Sequence, residues 1–123
     1  MDTATLVNER IDDGKVFIDD LKQTGFDVVV AFWVLTSEDA IWFLYIASAV
    51  VDKDGLAAAF RKAYSQLSRS QVRSISRSDI KLIGSKNPIA LDALAYRSDH
   101  FATRYGGRKL GSMIVEEAYI YPK

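Results

Sequence analysis

Along the first fifth of the chain, Val7, Ile11, Gly14, Ile18 and Leu21 recur in steps of four and three, which sets them on one stripe of a helix. The spacing predicts a helix over 4–23, with Asp2 or Thr3 as cap and Gly25 ending it in a left-handed conformation. Gly14 lies on the apolar stripe. A glycine inside a helix costs about 1 kcal/mol relative to alanine, so its place there predicts close packing against a sheet.

The period then changes. Val28 to Leu35 (VVVAFWVL) and Ala40 to Ala49 (AIWFLYIASA) are rich in β-branched and aromatic residues, and Ser37-Glu38-Asp39 separates them. They predict a hairpin. Both of its faces are apolar, whereas a half-solvated antiparallel strand alternates with polar residues. The hairpin is therefore buried on both sides, under helices or against a partner.

Helical spacing returns at Leu56, Phe60, Ala63 and Leu67, predicting a helix over 54–67 capped by Asp52 or Asp54. Ser68 to Ser78 (SRSQVRSISRS) reads as irregular and Asp79 to Ile83 as a short strand. Asn87 and Pro88 open a third helix, with Ile89, Leu91, Leu94 and Ala95 on its apolar side. Gly106-Gly107 marks a tight hairpin turn or a loop tip, and Met113 to Tyr121 closes the chain as a strand. The order is α-β-β-α-β-α-β, with room for a small extra strand around Arg104. It predicts one α+β domain over 1–123, a layered mixed sheet with a central apolar β-hairpin.

Composition changes this picture little. The 123 residues include two prolines and no cysteine, which excludes a disulfide framework and thiol catalysis and fits a cytoplasmic protein. The apolar run Phe26 to Val51 is cut by Thr36-Ser37-Glu38-Asp39 and falls short of the roughly 20 uninterrupted residues of a membrane span. Nothing calls for a cofactor. One histidine, His100, with no cysteine, provides no conventional zinc site.

Charge changes it more. Residues 1–60 carry eleven Asp/Glu and four Lys/Arg, residues 61–123 five and twelve, and the formal net charge is zero. A chain without net charge has little colloidal repulsion and associates with itself more readily. The positive excess is densest from Arg61 to Lys86. Within it Arg69, Arg73, Arg77 and Lys81 are spaced by four among serines, and Lys86 follows. Guanidinium forks and hydroxyls both donate to phosphate oxygens, so these five form a candidate anion-binding set. Gly84-Ser85-Lys86-Asn87, between a strand and a helix start, suits an anion as well, although it lacks the spacing of a nucleotide-binding loop.

Acid/base chemistry has one alternative cluster: Asp79, Glu116 and Glu117. Asp79-Ile80-Lys81 resembles the D-x-K element of restriction-like nucleases over three residues, without the upstream strand acid that such a site pairs with it. Adjacent in the last strand, Glu116 and Glu117 point to opposite faces, and Arg104 or Arg108 is the expected partner of whichever is covered. Trp33, Trp42, Phe43, Tyr45, Tyr119 and Tyr121 read as core. The aromatic hairpin (26–49) and the C-terminal E-E-A-Y-I-Y-P strand (116–122) also resemble small uncharacterised bacterial proteins, a likeness that carries no function. Two readings follow. The first is a non-enzymatic domain that binds proteins or itself. The second is a nucleic-acid or phosphate-binding protein, conceivably a nuclease, that uses 69–86.

Overall fold

A computed structural model describes residues 6–36, 38 and 40–123. Helix α1 (Asn8–Gln23) buries Ile11, Gly14, Phe17, Ile18 and Leu21, so Val7 is its exposed leading residue rather than part of the stripe. Asp2 and Thr3 lie outside the described residues. At the far end Gly25 takes φ +86°, its N–H donates to Lys22 O, and Phe26 N–H donates to Leu21 O. This pair of bonds satisfies carbonyls that a helix end leaves open.

Strands β1 (Val30–Leu35) and β2 (Trp42–Ser48) form the predicted antiparallel hairpin. Ala40 N–H donates to Thr36 O across the turn; Ser37 and Asp39 of the proposed turn lie outside the described residues. Helix α2 (Ala49–Asp54) follows directly, capped by the Ser48 side chain, and Gly55 at φ +89° separates it from α3 (Leu56–Ser70). The single helix capped by Asp52 or Asp54 is thus replaced by two helices. Asp52 reaches Ser85 instead, and Asp54 pairs with Lys62.

A short 3-10 turn over Arg77–Asp79 leads into β3 (Ile80–Gly84). Helix α4 (Pro88–Tyr96) opens as expected on the Asn87 side chain, which accepts from Ile89 N–H. Ala90 and Ala93, not Leu91 and Ala95, face the core: every residue of α4 but Asp92 is apolar or aromatic, and two small residues one turn apart let it approach the sheet closely. Strands β4 (Thr103–Leu110) and β5 (Met113–Ile120) complete the chain, so the small extra strand around Arg104 is a full eight-residue edge.

The five strands lie in the order β3-β2-β1-β5-β4, antiparallel except for β2–β3, and make one mixed sheet in an α+β fold. Alternation along β1 divides the core in two. Ala31, Trp33 and Leu35 pack with α1 and α3; Val30, Phe32 and Val34 pack with Ala90 and Ala93 of α4. Helices therefore cover both faces of the apolar hairpin. Trp33 Nε1–H donates to the Tyr121 hydroxyl at 2.8 Å, and that hydroxyl donates to Ile11 O at 2.7 Å. Gly14 makes room for it, because an added Cβ would overlap the Tyr121 oxygen. Burial pushes the Tyr121 phenol well above its ordinary pKa, so it stays a donor.

Gly106-Gly107 is neither a turn nor a tip. It sits inside β4, and the turn is made at Gly111, whose N–H donates to Asp92. Gly107 takes φ +67°, and the β4–β5 ladder is interrupted there, between Gly106↔Glu117 and Arg108↔Val115. Val115 and Ala118 both enter the α4-side core although they are three positions apart, so the two-residue alternation of faces breaks between them. Glu116 and Glu117 stand exposed at that reversal.

Candidate interaction surface

Helices α1 and α3 lie side by side on one face of the sheet, running in opposite senses: Asp20 meets Ser70, and Asp13 meets Ser74. On α1, the steps of Glu9, Asp13, Val16 and Asp20 place them on one stripe, with exposed Asp12 beside it. On α3, exposed Arg61, Ser65 and Arg69 step by four, Lys62 adjoins them, and the helix contains no acid. The acidic strip thus lies along α1 level with Ser74 and Ser70, and the basic strip runs on from there past the end of α1 to the Thr24–Phe26 turn, the two end to end on one face.

The acids of the seam are held by serines. The Ser70 hydroxyl donates to Asp20 Oδ2 at 2.6 Å, while the hydroxyl and N–H of Ser74 donate to Asp13 Oδ2 at 2.5 and 3.0 Å. The Ser74 hydroxyl above all holds Asp13 below the usual carboxylate pKa, against an opposing effect of burial. Among the described residues the ion pairs are Arg10–Asp79, Lys15–Asp19 and Lys62–Asp54. None of them involves Arg61, Arg69 or Arg73. A groove of about 390 Å³ runs between the Thr24–Phe26 turn, Val50 and the side chains of Arg61, Lys62, Ser65 and Arg69.

The five residues of the predicted anion-binding set are dispersed. Arg69 lines this groove, and Arg73 is exposed in the loop after α3. Arg77 stacks over Tyr64 at 5.1 Å, on the flank of α3 that carries Phe60. Lys81 lies between Ile80 and Leu82, which face α1 and α3, so it projects from the opposite side of the sheet over the Phe43 ring at 4.7 Å. Lys86 is exposed in the β3–α4 loop. The spacing of four makes no continuous stripe here because α3 ends at Ser70 and Gln71 turns left-handed. The stripe extends upstream instead, to Arg61 and Ser65. Their spacing of four from Arg69 is the signal in the sequence, and the predicted helix end at 67 hides it by separating Arg69 from them.

The β3–α4 loop already holds an anion of the protein's own. Ser85 N–H and hydroxyl donate to Asp52 Oδ2 at 2.9 and 2.5 Å, and Gly84 leaves no room for a Cβ beside that carboxylate. These bonds, the Ser85 hydroxyl first, hold Asp52 below its ordinary pKa.

Asp79, Glu116 and Glu117 are not brought together. Asp79 accepts from the Ser76 N–H and hydroxyl in a capping box and pairs with Arg10 at 3.3 Å. In the strand order β3 and β5 are three spacings apart, about 14 Å. Glu116 and Glu117 instead border a shallow groove with Trp42, Arg104 and Tyr119. Neither glutamate has an ion-pair partner among the described residues: Arg104 lies over Tyr119, and Arg108 over Tyr96 and Tyr105. Among the described residues no group of three metal-ligating side chains converges, and no helix is long and apolar enough to cross a membrane.

No family model, curated protein or solved structure matches the chain.

Proposed function

We propose that the protein is a non-enzymatic domain that self-associates through its α1–α3 face. One observation carries this reading: an acidic strip on α1 lies end to end with a basic strip on α3 whose arginines form no ion pair among the described residues. A two-fold axis perpendicular to the helices lays the acidic end of this face in each copy over the basic end in the other, acid on base at both contacts, which is the self-complementarity that an isologous dimer needs. Exposed Val16, near the middle of the acidic strip, adds apolar area. A polyanion longer than the groove is a poorer match, because the α1 acids Glu9, Asp12, Asp13 and Asp20 stand outside it on the same face and repel the remainder of such a ligand. The apolar hairpin plays no part, since helices of the same chain cover it.

Exposed ion pairs contribute little singly and are screened by salt, so the dimer is salt-sensitive. Sedimentation equilibrium at low ionic strength is expected to show a dimer that dissociates as salt is raised. R61E/R69E and E9K/D12K should each be monomeric alone and should pair with each other when mixed. A monomer at millimolar concentration in low salt, or association unchanged in both variants, overturns the proposal.

The second reading, nucleic-acid or phosphate binding through 69–86, draws support from Arg69 and Arg73, which form no ion pair among the described residues. Anisotropy of a labelled oligonucleotide separates the two. Binding with a steep salt slope, lost in R61E/R69E but kept in E9K/D12K, favours the polyanion.

A further inference from the structure

A second cavity opens on the flank of α1 that faces away from α3. Its origin is a mismatch in the sheet. Strand β5 stays with β1 as far as Tyr121, whose N–H donates to Ala31 O at 3.1 Å, and then Pro122 has no N–H to continue the ladder. Upstream, Val29 turns its N–H towards β2, donating to Ala47 O at 2.8 Å. Arg97, at the end of α4, takes up the carbonyl left over: its Nη1 donates to Val29 O at 2.7 Å. Beyond Pro122, Lys123 N–H donates to Ser98 O and draws the tail against the segment that follows α4.

These segments and α1 enclose about 320 Å³, within the range of small-molecule sites. Ile18, Val28, Val30 and Tyr121 supply apolar walls. Lys15, Lys22, Arg97 and Lys123 stand around them with one acid, Asp19, which Lys15 already engages at 3.0 Å. Lys22 and Arg97 have no carboxylate partner among the described residues. The guanidinium is half-buried and held in orientation by Val29 O, and it keeps further N–H donors for a second acceptor. A fixed planar fork beside an apolar wall matches a carboxylate that carries an apolar body.

We propose that this cavity binds a small organic carboxylate with an apolar body, the carboxylate on Arg97 and Lys22 and the body against Ile18, Val30 and Tyr121. The proposal is independent of self-association, since it uses the opposite flank of α1. The test is an amide-shift NMR titration with 4-phenylbutyrate, its neutral amide and inorganic phosphate as probes. Saturable shifts of Val28–Ala31, Tyr121 and Lys123 are expected with the carboxylate, with at least about tenfold weaker binding of the amide, the loss that goes with one charge-assisted hydrogen bond. R97K, which keeps the charge and loses the fork, should weaken the carboxylate. K22Q, an exposed change that leaves Val29 O engaged, should also weaken it and keeps the test valid if R97K unfolds. No saturable shift at those amides, equal binding of the amide, or inorganic phosphate matching the carboxylate overturns the proposal.

Discussion

The two flanks of α1 are built from the same helix and behave in opposite ways. Towards α3, short carboxylates meet serine hydroxyls, and the seam closes on hydrogen bonds of 2.5 to 3.0 Å. Away from α3, long lysines stand over the gap where β5 ends, and a cavity remains open. A short acid–hydroxyl pair fixes two elements at one distance, whereas a flexible ammonium fixes none. The closed flank has a second consequence: because serines satisfy the acids, the arginines of α3 are left to face outward.

Between the flanks runs the buried stripe, and the sharpest way to break the comparison is to lift α1 off the sheet. Gly14→Ala should destabilise by about 2 kcal/mol despite its better helix propensity, because the new methyl overlaps the buried Tyr121 hydroxyl. Urea denaturation measures it. Removing the oxygen in Tyr121→Phe costs about 1–2 kcal/mol alone, since Trp33 Nε1–H loses its acceptor. The double variant should then be more stable than the sum of the two predicts, and strict additivity would refute the steric account.

Opening only the closed flank is a smaller change. Ser74→Ala should cost about 1 kcal/mol and raise amide exchange in the 71–76 loop while leaving the α4 amides unaltered. Uniform loss of protection would mean that the seam is not a local latch.

The seam also sets an acid limit. Asp13 is held below its ordinary value of 3.8 in the folded state, so its contribution is complete above that value and is lost as pH falls through the folded-state pKa. Asp13→Asn, which still accepts from Ser74, should flatten the acid limb of a stability–pH profile. An unchanged limb would remove Asp13 from the acid response. The smallest effect belongs to the open flank. Lys15→Ala breaks an exposed pair with Asp19 and should change stability by no more than about 0.5 kcal/mol.

Several elements were legible because their cause is local. The doubly apolar hairpin, the α1 stripe with its glycine, and the Asn87-Pro88 start of α4 each follow from periodicity or from one residue's backbone preference. Local signals failed where a competing local feature was misjudged. Gly55 divides a run that helical spacing reads as continuous, and Gly106-Gly107 looks like a turn but twists a strand. The candidate surface was half legible. Arg69 and Arg73 stand out by spacing, while a predicted helix end at 67 cuts Arg69 off from Arg61 and Ser65, with which it shares a face of α3.

The sequence by itself determined that a two-faced apolar hairpin lies inside an α+β domain, and that negative charge gathers before residue 60 and positive charge after it. Periodicity and composition carry that much, because they act over a turn of helix or a pair of strand positions. Only the tertiary structure decided which charges meet. Asp13 and Ser74 are 61 residues apart, Asp20 and Ser70 are 50, and Trp33 and Tyr121 are 88. No local preference selects such partners. They are set by the packing of α1 against α3 and the sheet, and that packing gave the acids to serines and left the arginines outside.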